Sequence, residues 1–315
     1  MSNSLAPYDA ILLLSFGGPE APEEVVPFLR RVTAGKDIPD ARLEQVGEHY
    51  YRFGGRSPIN DQNRALIAAL EAELVARGLD TPVLWGNRNS EPFIDDALRT
   101  AHAAGHRRLV AITTSAYSSY SSCRQYRENL ADAVTKVAED GIDIEVDKIG
   151  PYAARPGFEQ ANLEHLVASM RPLDGAPDAT IALLFVTHSI PDAMNELSGP
   201  GDGDGHAYQR QHLALASALT DQANQALGRD LTSELVFCSR SGPPSQPWLE
   251  PDVNDRIEEL AASGIETVVL APIGFVSDHM EVVYDLDTEA LETAERVGVD
   301  LIRVPTVGTT PVFVA

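Results

Sequence analysis

The chain repeats itself: three pairs of segments resemble each other and occur in the same order in its two halves. The first pair, ILLLSFGGPE and LLFVTHSIPD, sets Phe16 opposite His188. The paired segments are Ile11–Glu20 with Leu183–Asp192, Leu84–Phe93 with Phe237–Trp248 when small gaps are allowed, and Ala103–Ser119 with Ala262–Asp278 without a gap. A repeated sequence predicts a repeated structural unit. We therefore expect two copies of one domain, facing each other across a cleft at the carboxyl ends of their strands.

Short apolar runs alternate with polar segments of helical period, which is typical of a parallel sheet covered by helices. Eight runs have the length of a strand, and eight strands favour two sheets over one. Helices are predicted between them, the last over Glu281–Val297. The predicted strands are Ala10–Ser15, Val83–Gly86, Arg108–Thr113, Ile142–Lys148, Ile181–Thr187, Glu234–Cys238, Thr267–Ala271 and Asp300–Val304. The sequence thus predicts a duplicated α/β fold.

A stretch containing proline and glycine, Gly150–Gly157, separates the fourth strand from the fifth. Such stretches commonly mark a boundary. We expect one domain over residues 1–150 and a second over residues 151–305. Residues 306–315 are expected to begin a C-terminal segment that returns to the first domain.

Charge and composition exclude several classes of partner. Lys and Arg number 24 against 47 Asp and Glu, a net charge of −23, which disfavours nucleic acid and anionic membranes. No apolar run approaches the roughly 20 residues of a transmembrane helix. The two cysteines, Cys123 and Cys238, fit a reducing compartment, so we expect a soluble cytoplasmic protein. The motifs GxGxxG and GxxxxGK[ST] are absent, so no nucleotide cofactor is predicted.

His188 directly follows the apolar run IALLFVT, at the end of a strand where a cleft residue belongs. A histidine can accept a proton near neutral pH or bind a metal through its neutral ring. Its position is equally compatible with a histidine that bonds only to its own loop.

Three carboxylates, Glu281, Asp285 and Glu289, follow one another at intervals of four residues and share one face of the last predicted helix. In an acidic protein such a row is commonly a solvated face. Here Met280 and Val282 surround the first carboxylate with apolar groups. A partly buried row would have raised pKa values, and it could relay protons or hold a cation.

The first half contributes hydroxyl groups at two loops. Ser57 follows the Gly54-Gly55 turn, and Tyr126 stands near the head of a helix behind a serine-rich loop. Hydroxyls and the amides of a helix start suit the carboxylates of a ligand. Serine-rich turns are also ordinary helix caps.

Seven segments together resemble the ferrochelatase family, particularly its actinobacterial members that use coproporphyrin: SFGGPE, RSPIN, NSEPFIDDAL, YSSCRQY, VTHSIP, CSRSGPPSQPWLEPDV and GFVSDHMEVVYDLD. The resemblance covers almost the whole chain. It implies an α/β fold of two Rossmann-like, chelatase-type domains, with parallel sheets flanked by helices and a porphyrin between them. It also implies the insertion of Fe(II), as substrate, into coproporphyrin III in haem biosynthesis.

The resemblance further implies roles for individual residues. His188 and Glu281 match the catalytic iron site, and Asp285 and Glu289 match a path for metal and protons behind it. The positions of Ser57 and Tyr126 match porphyrin contacts. Cys123 matches an internal ligand of a 2Fe-2S cluster whose other three cysteines lie in a C-terminal tail. This sequence has no such tail cysteines, so a cluster is expected only if a longer native chain supplies them.

Other functions remain open at this stage. The chain could use protoporphyrin IX instead of coproporphyrin III, or it could carry porphyrin or haem without catalysis. A metallohydrolase that uses His188, His279 and Glu281 is a further alternative. The expected partners are porphyrin and Fe(II), with no nucleic acid, and the expected state is a monomer.

Overall fold

Two parallel sheets form the framework of the molecule, which we describe from a computed structural model. The structure describes residues 5–36, 38–201, 205–242 and 245–315. Within these residues each sheet has four strands, in the orders β2-β1-β3-β4 and β6-β5-β7-β8, so the predicted α/β class is confirmed. The strands are β1 Ala10–Ser15, β2 Val83–Asn87, β3 Arg108–Thr113, β4 Glu145–Lys148, β5 Ile181–His188, β6 Ser233–Cys238, β7 Thr267–Ala271 and β8 Asp300–Arg303.

Helices cover both faces of the sheets, as parallel strands require. The helices of the first half are α1 Pro22–Val32, α2 Asp40–Tyr51, α3 Ile59–Ala76, α4 Ile94–Ala103 and α5 Gln125–Glu139. Those that follow are α6 Pro156–Met170, α7 Asp192–Glu196, α8 Ala207–Leu227, α9 Val253–Ala262, α10 Met280–Tyr284, α11 Leu291–Val297 and α12 Pro311–Val314. No helix in the described ranges is long and apolar enough to cross a membrane.

The strand register reproduces the internal repeat. Ile11 pairs with Val110 in the first sheet, and Leu183 pairs with Val269 in the second. These are the partners that the first and third segment pairs predict.

The second segment pair was aligned wrongly. Asn87 ends β2 and bridges Phe93, whereas Phe237 in β6 bridges Asp252. Phe93 is therefore equivalent to Asp252, and both are the N-caps of the helices that follow. The alignment had set Phe93 against Trp248. The connection from β6 to α9 is longer than that from β2 to α4, so the second proline-aromatic pair falls inside the connection.

The central strand β5 is buried on both faces, and its alternation assigns each side chain to a layer. Leu183 and Phe185 pack toward α6 and α8. Leu184 and Val186 pack toward α9 and the segment after β7. Consequently the side chains of Thr187 and His188 point to opposite faces of the sheet.

Two helical features differ from the prediction. The predicted helix Glu281–Val297 consists of α10, a π-turn over Asp285–Ala290, and α11. Neither α2 nor the short helix α7 was predicted. The middle of α2 holds Gly47, a poor helix former. Tertiary packing stabilises α2, because Tyr50 joins a small apolar cluster with Phe28 of α1 and with Met280.

The predicted boundary, Gly150–Gly157, falls at the link between β4 and α6. At the end of the chain, Phe313 and Val314 pack against an apolar cluster that includes Leu66 of α3. The guanidinium of Arg77 donates a 2.7 Å hydrogen bond to the carbonyl of Ala315. Residues 311–315 thus contact the first half.

Candidate active site between the two halves

His188 and Glu281 meet although they lie far apart in sequence. His188 ends β5, Glu281 lies in the first turn of α10, and Nε2 of the imidazole is 3.5 Å from Oε2 of the carboxylate. On the other side of the ring, Nδ1 contacts the carbonyl oxygen of Ser189. A carbonyl only accepts hydrogen bonds, so in the neutral ring Nδ1 carries the hydrogen and the Nε2 lone pair faces Glu281. Nε2 of His188 and Oε2 of Glu281 are thus both acceptors, and a proton or a cation between them would interact favourably with both.

His279 also approaches Glu281, with its Nδ1 3.9 Å from the same carboxylate oxygen, Oε2. Burial lowers the pKa of His279, although the nearby Glu281 charge opposes this. The described residues include no group of three or more His, Cys, Asp or Glu side chains placed to hold a metal.

Asp285 lies next in the row, at the start of the π-turn. Burial raises the pKa of its carboxyl to about 7, and the charges of Glu281 and Glu289 act in the same direction. The hydroxyl of Ser239, which follows β6, donates a hydrogen bond to this carboxylate and opposes the rise. A group with this pKa can take up or release a proton near neutral pH.

Glu289 is exposed at the outer end of the row and, with Asn254 and Glu292, lines a surface depression. Partial burial raises the pKa of Glu289, while the Tyr284 hydroxyl lowers it. The three predicted carboxylates therefore extend from His188 to the surface.

An apolar pocket adjoins this row on the side of the first half. Phe16, Phe28 and Tyr50 line it together with Met280 and Glu281. Burial and the charges of Glu281 and Asp285 raise the pKa of Tyr50, which keeps this phenol neutral. A mostly apolar wall with a few ionisable groups at one end is typical of a small-molecule site.

One aromatic stack closes the pocket between the halves. The ring of His49 in α2 lies 3.7 Å from the ring of Tyr284, with 11° between their planes. Tyr284 belongs to the apolar surroundings of Glu281 that the sequence indicates, but His49 was not predicted, because the contact depends on the packing of α2 against α10.

Ser57 and Tyr126 are buried beside other loops of the first half, and neither is among the described residues that line the pocket. Ser57 donates a backbone hydrogen bond of 2.9 Å to Pro19. The guanidinium of Arg88 lies 4.9 Å from the centre of the Tyr126 ring and 5.5 Å from that of Phe16. Arg88, which the sequence analysis did not single out, thus links Tyr126 to the pocket wall.

Cys123 belongs to a π-turn, Tyr120–Arg124, and its sulfur lies 3.8 Å from the amine of Lys148. A 2Fe-2S cluster needs four protein ligands. The other cysteine, Cys238, is buried at the end of β6 in the second sheet. The residues present therefore do not fit such a cluster.

Comparisons with known proteins agree with this arrangement. A model of the ferrochelatase family matches residues 8–315. The coproporphyrin III ferrochelatase of Streptomyces coelicolor is 51% identical over 313 residues, which are 98% of this chain and 84% of the relative. That of Leifsonia xyli subsp. xyli is 52% identical over 315 residues, 96% of this chain and 80% of the relative.

Two solved structures share the fold at low sequence identity. SirB from Bacillus subtilis, determined with Fe³⁺, has a TM-score of 0.52 at 12% identity and covers 97% of this chain and 90% of its own. DR2241 from Deinococcus radiodurans, described as similar to chelatases, has a TM-score of 0.50 at 16% identity over 97% of this chain and 53% of its own. At such identities the likeness supports the chelatase-type fold.

Proposed function

The chain belongs to the ferrochelatase family, and from this premise we propose that it inserts Fe(II) into coproporphyrin III in haem biosynthesis. Relatives of that name match it at about 50% identity over nearly all of its length. The observation that carries the proposal is the 3.5 Å approach of His188 Nε2 to Glu281 Oε2 beside an apolar pocket.

The reaction exchanges one Fe(II) ion for two protons. Two pyrrole N–H bonds break, four iron–nitrogen bonds form, and two protons leave, so the oxidation states do not change. The reaction needs a base, a metal route and a proton exit, and it needs neither a nucleotide nor a reductant.

His188 is the proposed base. Its Nδ1 contact with Ser189 leaves Nε2 free to accept a pyrrole proton. Glu281 is the proposed iron contact, because a carboxylate suits Fe(II) and this one is partly exposed, next to Nε2. As each proton arrives, the imidazolium of His188 and the carboxylate of Glu281 would attract each other.

Asp285 and Glu289 are the proposed path to solvent. The pKa of Asp285, about 7, allows it to receive a proton and pass it on without a large free-energy step. Glu289 opens onto the surface, where its carboxylate would also attract incoming Fe(II).

The porphyrin is proposed to lie against the apolar wall that Phe16, Phe28 and Met280 contribute to. Ser57 and Tyr126 are proposed porphyrin contacts on the first-half side. Arg88, stacked between Tyr126 and Phe16, would offer a positive charge to the carboxylates of the substrate.

Anaerobic insertion assays with coproporphyrin III and protoporphyrin IX, followed by absorbance, test the proposal. We expect faster turnover with coproporphyrin III at matched concentrations. Faster turnover with protoporphyrin IX would identify the alternative substrate, and tight binding without insertion would identify a carrier. Glu281→Gln, which keeps the shape of the side chain, is the matched inactive control.

We further propose that the protein acts as a cytoplasmic monomer without a nucleotide. The two free cysteines fit a reducing compartment, and the charge of −23 favours a protein that stays monomeric in solution. The sequence lacks the GxGxxG and GxxxxGK[ST] motifs of nucleotide sites. Light scattering gives the mass in solution, and turnover in nucleotide-free buffer tests the last point.

A further inference from the structure

We propose that Tyr208 is a positioning residue that fixes His188 through its main chain. The inference rests on the proposed function, because the position of His188 affects the reaction only if His188 is the base. The phenol of Tyr208, at the start of α8, donates a 2.8 Å hydrogen bond to the carbonyl oxygen of His188.

The His188 carbonyl lies beyond the end of the neighbouring strand β7. Along β5, Val186 directs its carbonyl toward β7 and accepts a 3.1 Å bond from the amide of Gly274, whereas the amide of Ser189 bonds toward β6. By alternation, the His188 carbonyl points to the β7 side. There β7 has already ended at Ala271, so the phenol of Tyr208 takes the place of the missing strand donor.

The hydroxyl chain behind this bond has a single possible direction. The Tyr208 hydroxyl gives its only hydrogen to the His188 carbonyl, so it must accept the hydrogen of Thr187 Oγ1, which lies 2.7 Å away. Thr187 is fully buried. Without the phenol, a buried hydroxyl and a carbonyl would both lose their partner, which costs more than the loss of an exposed bond.

Contacts to its backbone and to its ring hold Tyr208 in place. The backbone amide of Tyr208 donates a 2.9 Å hydrogen bond to the hydroxyl oxygen of Ser198. His212, one turn later, packs edge-to-face at 4.4 Å and donates through Nδ1 to the Tyr208 carbonyl at 2.7 Å. Tyr117, from the first half, stacks on the other side of His212 at 3.6 Å. Since burial lowers the pKa of His212 to about 3, this ring stays neutral and the cluster keeps its bonding pattern at all ordinary pH values.

Tyr208 contacts the main chain of His188 from the face of the sheet opposite the imidazole. The phenol holds the carbonyl, while the ring faces Glu281 on the other side. A reaction rate falls steeply when one of the reacting groups is displaced by about an ångström. Tyr208 thus acts on the reaction through the geometry of His188 and touches neither iron nor porphyrin.

The test compares Tyr208→Phe with Tyr117→Phe. Each substitution removes one buried hydroxyl group from the same cluster and keeps the aromatic ring. The Tyr117 hydroxyl donates instead to the carbonyl of Ile273, at 2.7 Å, so its loss does not release His188. Thermal unfolding of both variants shows whether their losses of stability are comparable.

Two measurements decide the matter. In Tyr208→Phe we expect kcat to fall by about tenfold or more with little change in KM for porphyrin, while Tyr117→Phe keeps kcat within about twofold. In metal-free, porphyrin-free protein, the ¹⁵N resonances of His188, assigned with His188→Ala, should show the Nδ1–H tautomer and should move only in Tyr208→Phe.

Equal kcat values and equal His188 spectra in the two variants would overturn the positioning role. If the wild-type protein inserts no iron but Tyr208→Phe alone moves the His188 resonances, the proposed function fails and the structural control of His188 by Tyr208 stands. The experiment thereby distinguishes failure of the positioning role from failure of the proposed function.

Discussion

Phe16 and His188 occupy equivalent places in the two sheets: each lies five residues after a pair of aligned partners, Ile11 with Val110 and Leu183 with Val269. Duplication thus put an aromatic ring at the end of one central strand and an imidazole at the end of the other. Phe16 lines the apolar pocket, whereas His188 faces Glu281. The two halves share an architecture but contribute different side chains to the candidate site.

His188→Ala should reduce iron insertion by at least about 100-fold, because it removes the proposed proton acceptor. Porphyrin affinity, measured by fluorescence quenching, should change little, since the apolar wall remains. His106→Ala is the control, because His106 lies before β3, at the opposite end of the strands. Near-normal turnover in His188→Ala would contradict the assignment.

Glu281→Gln should impair insertion far more than Glu289→Gln. The first amide replaces the carboxylate beside His188 Nε2, whereas the second lies at the end of the row that is farther from His188. Steady-state turnover at limiting and saturating Fe(II) distinguishes the two positions, and Glu289→Gln should act mainly at limiting iron. Small and equal losses would instead indicate a solvated face without a catalytic role.

Asp285→Asn should stabilise the protein increasingly as pH rises from about 4 to about 7. The ordinary pKa of this carboxyl is 3.8, and in the folded protein burial raises it to about 7. Between these values the unfolded chain releases the proton that the folded chain keeps, so the free energy of unfolding of the wild type falls with rising pH. The asparagine has no proton to lose. The difference should reach at most about 4 kcal/mol and level off above neutral pH.

Urea unfolding of the metal-free protein at several pH values measures this difference. Asp132→Asn, at an exposed position of α5, is the control for the loss of one carboxylate. A constant difference between Asp285→Asn and the wild type across this range would show that Asp285 titrates normally.

Gly274→Ala should destabilise the protein by several kcal/mol and reduce turnover. A Cβ at Gly274 would lie 2.1 Å from Thr187 Oγ1 and 2.8 Å from its backbone Cα, so the end of β5 would have to shift. Gly150→Ala is the matched control, because nothing lies within 4 Å of a Cβ there. Thermal unfolding and kcat of the two variants check the expectation, and equal melting temperatures would refute it.

The 315-residue chain should show no 2Fe-2S absorbance, and Cys123→Ser should leave its spectrum unchanged. The reason is that Cys123 and Cys238 cannot supply four ligands. If a longer native form carries three further cysteines, Cys123→Ser should remove its cluster. Visible absorbance and iron-sulfide analysis of both lengths measure this; an unaltered cluster in the longer variant would show that Cys123 is not a ligand.

The strands were predictable because their signal is local. Each buried parallel strand is a short apolar run, and His188 stands out since it directly follows one of them. The predicted spacing of Glu281, Asp285 and Glu289 did not reveal the π-turn, because a separation of four residues suits an α-turn and a wider turn almost equally. The 3.5 Å contact between His188 and Glu281 depends on how β5 and α10 pack, which no local pattern encodes.

Other site features were missed for the same physical reason. α2 has a glycine in its middle and is stabilised by contacts with α1 and Met280. Tyr208 looks like an ordinary residue in the first turn of a helix, and its importance arises only where β7 ends and leaves the His188 carbonyl without a strand partner.

Tyr117 belongs to the first half by sequence but is buried in the core of the second, together with Phe158 and Leu219. A chain severed between β4 and α6 would therefore not give two self-sufficient fragments. The C-terminal fragment would have a ring-sized gap beside His212, and the N-terminal one would expose a large aromatic side chain. Each fragment alone is expected to be unstable, and mixing the two fragments should restore the fold. The two repeated halves therefore depend on each other for stability.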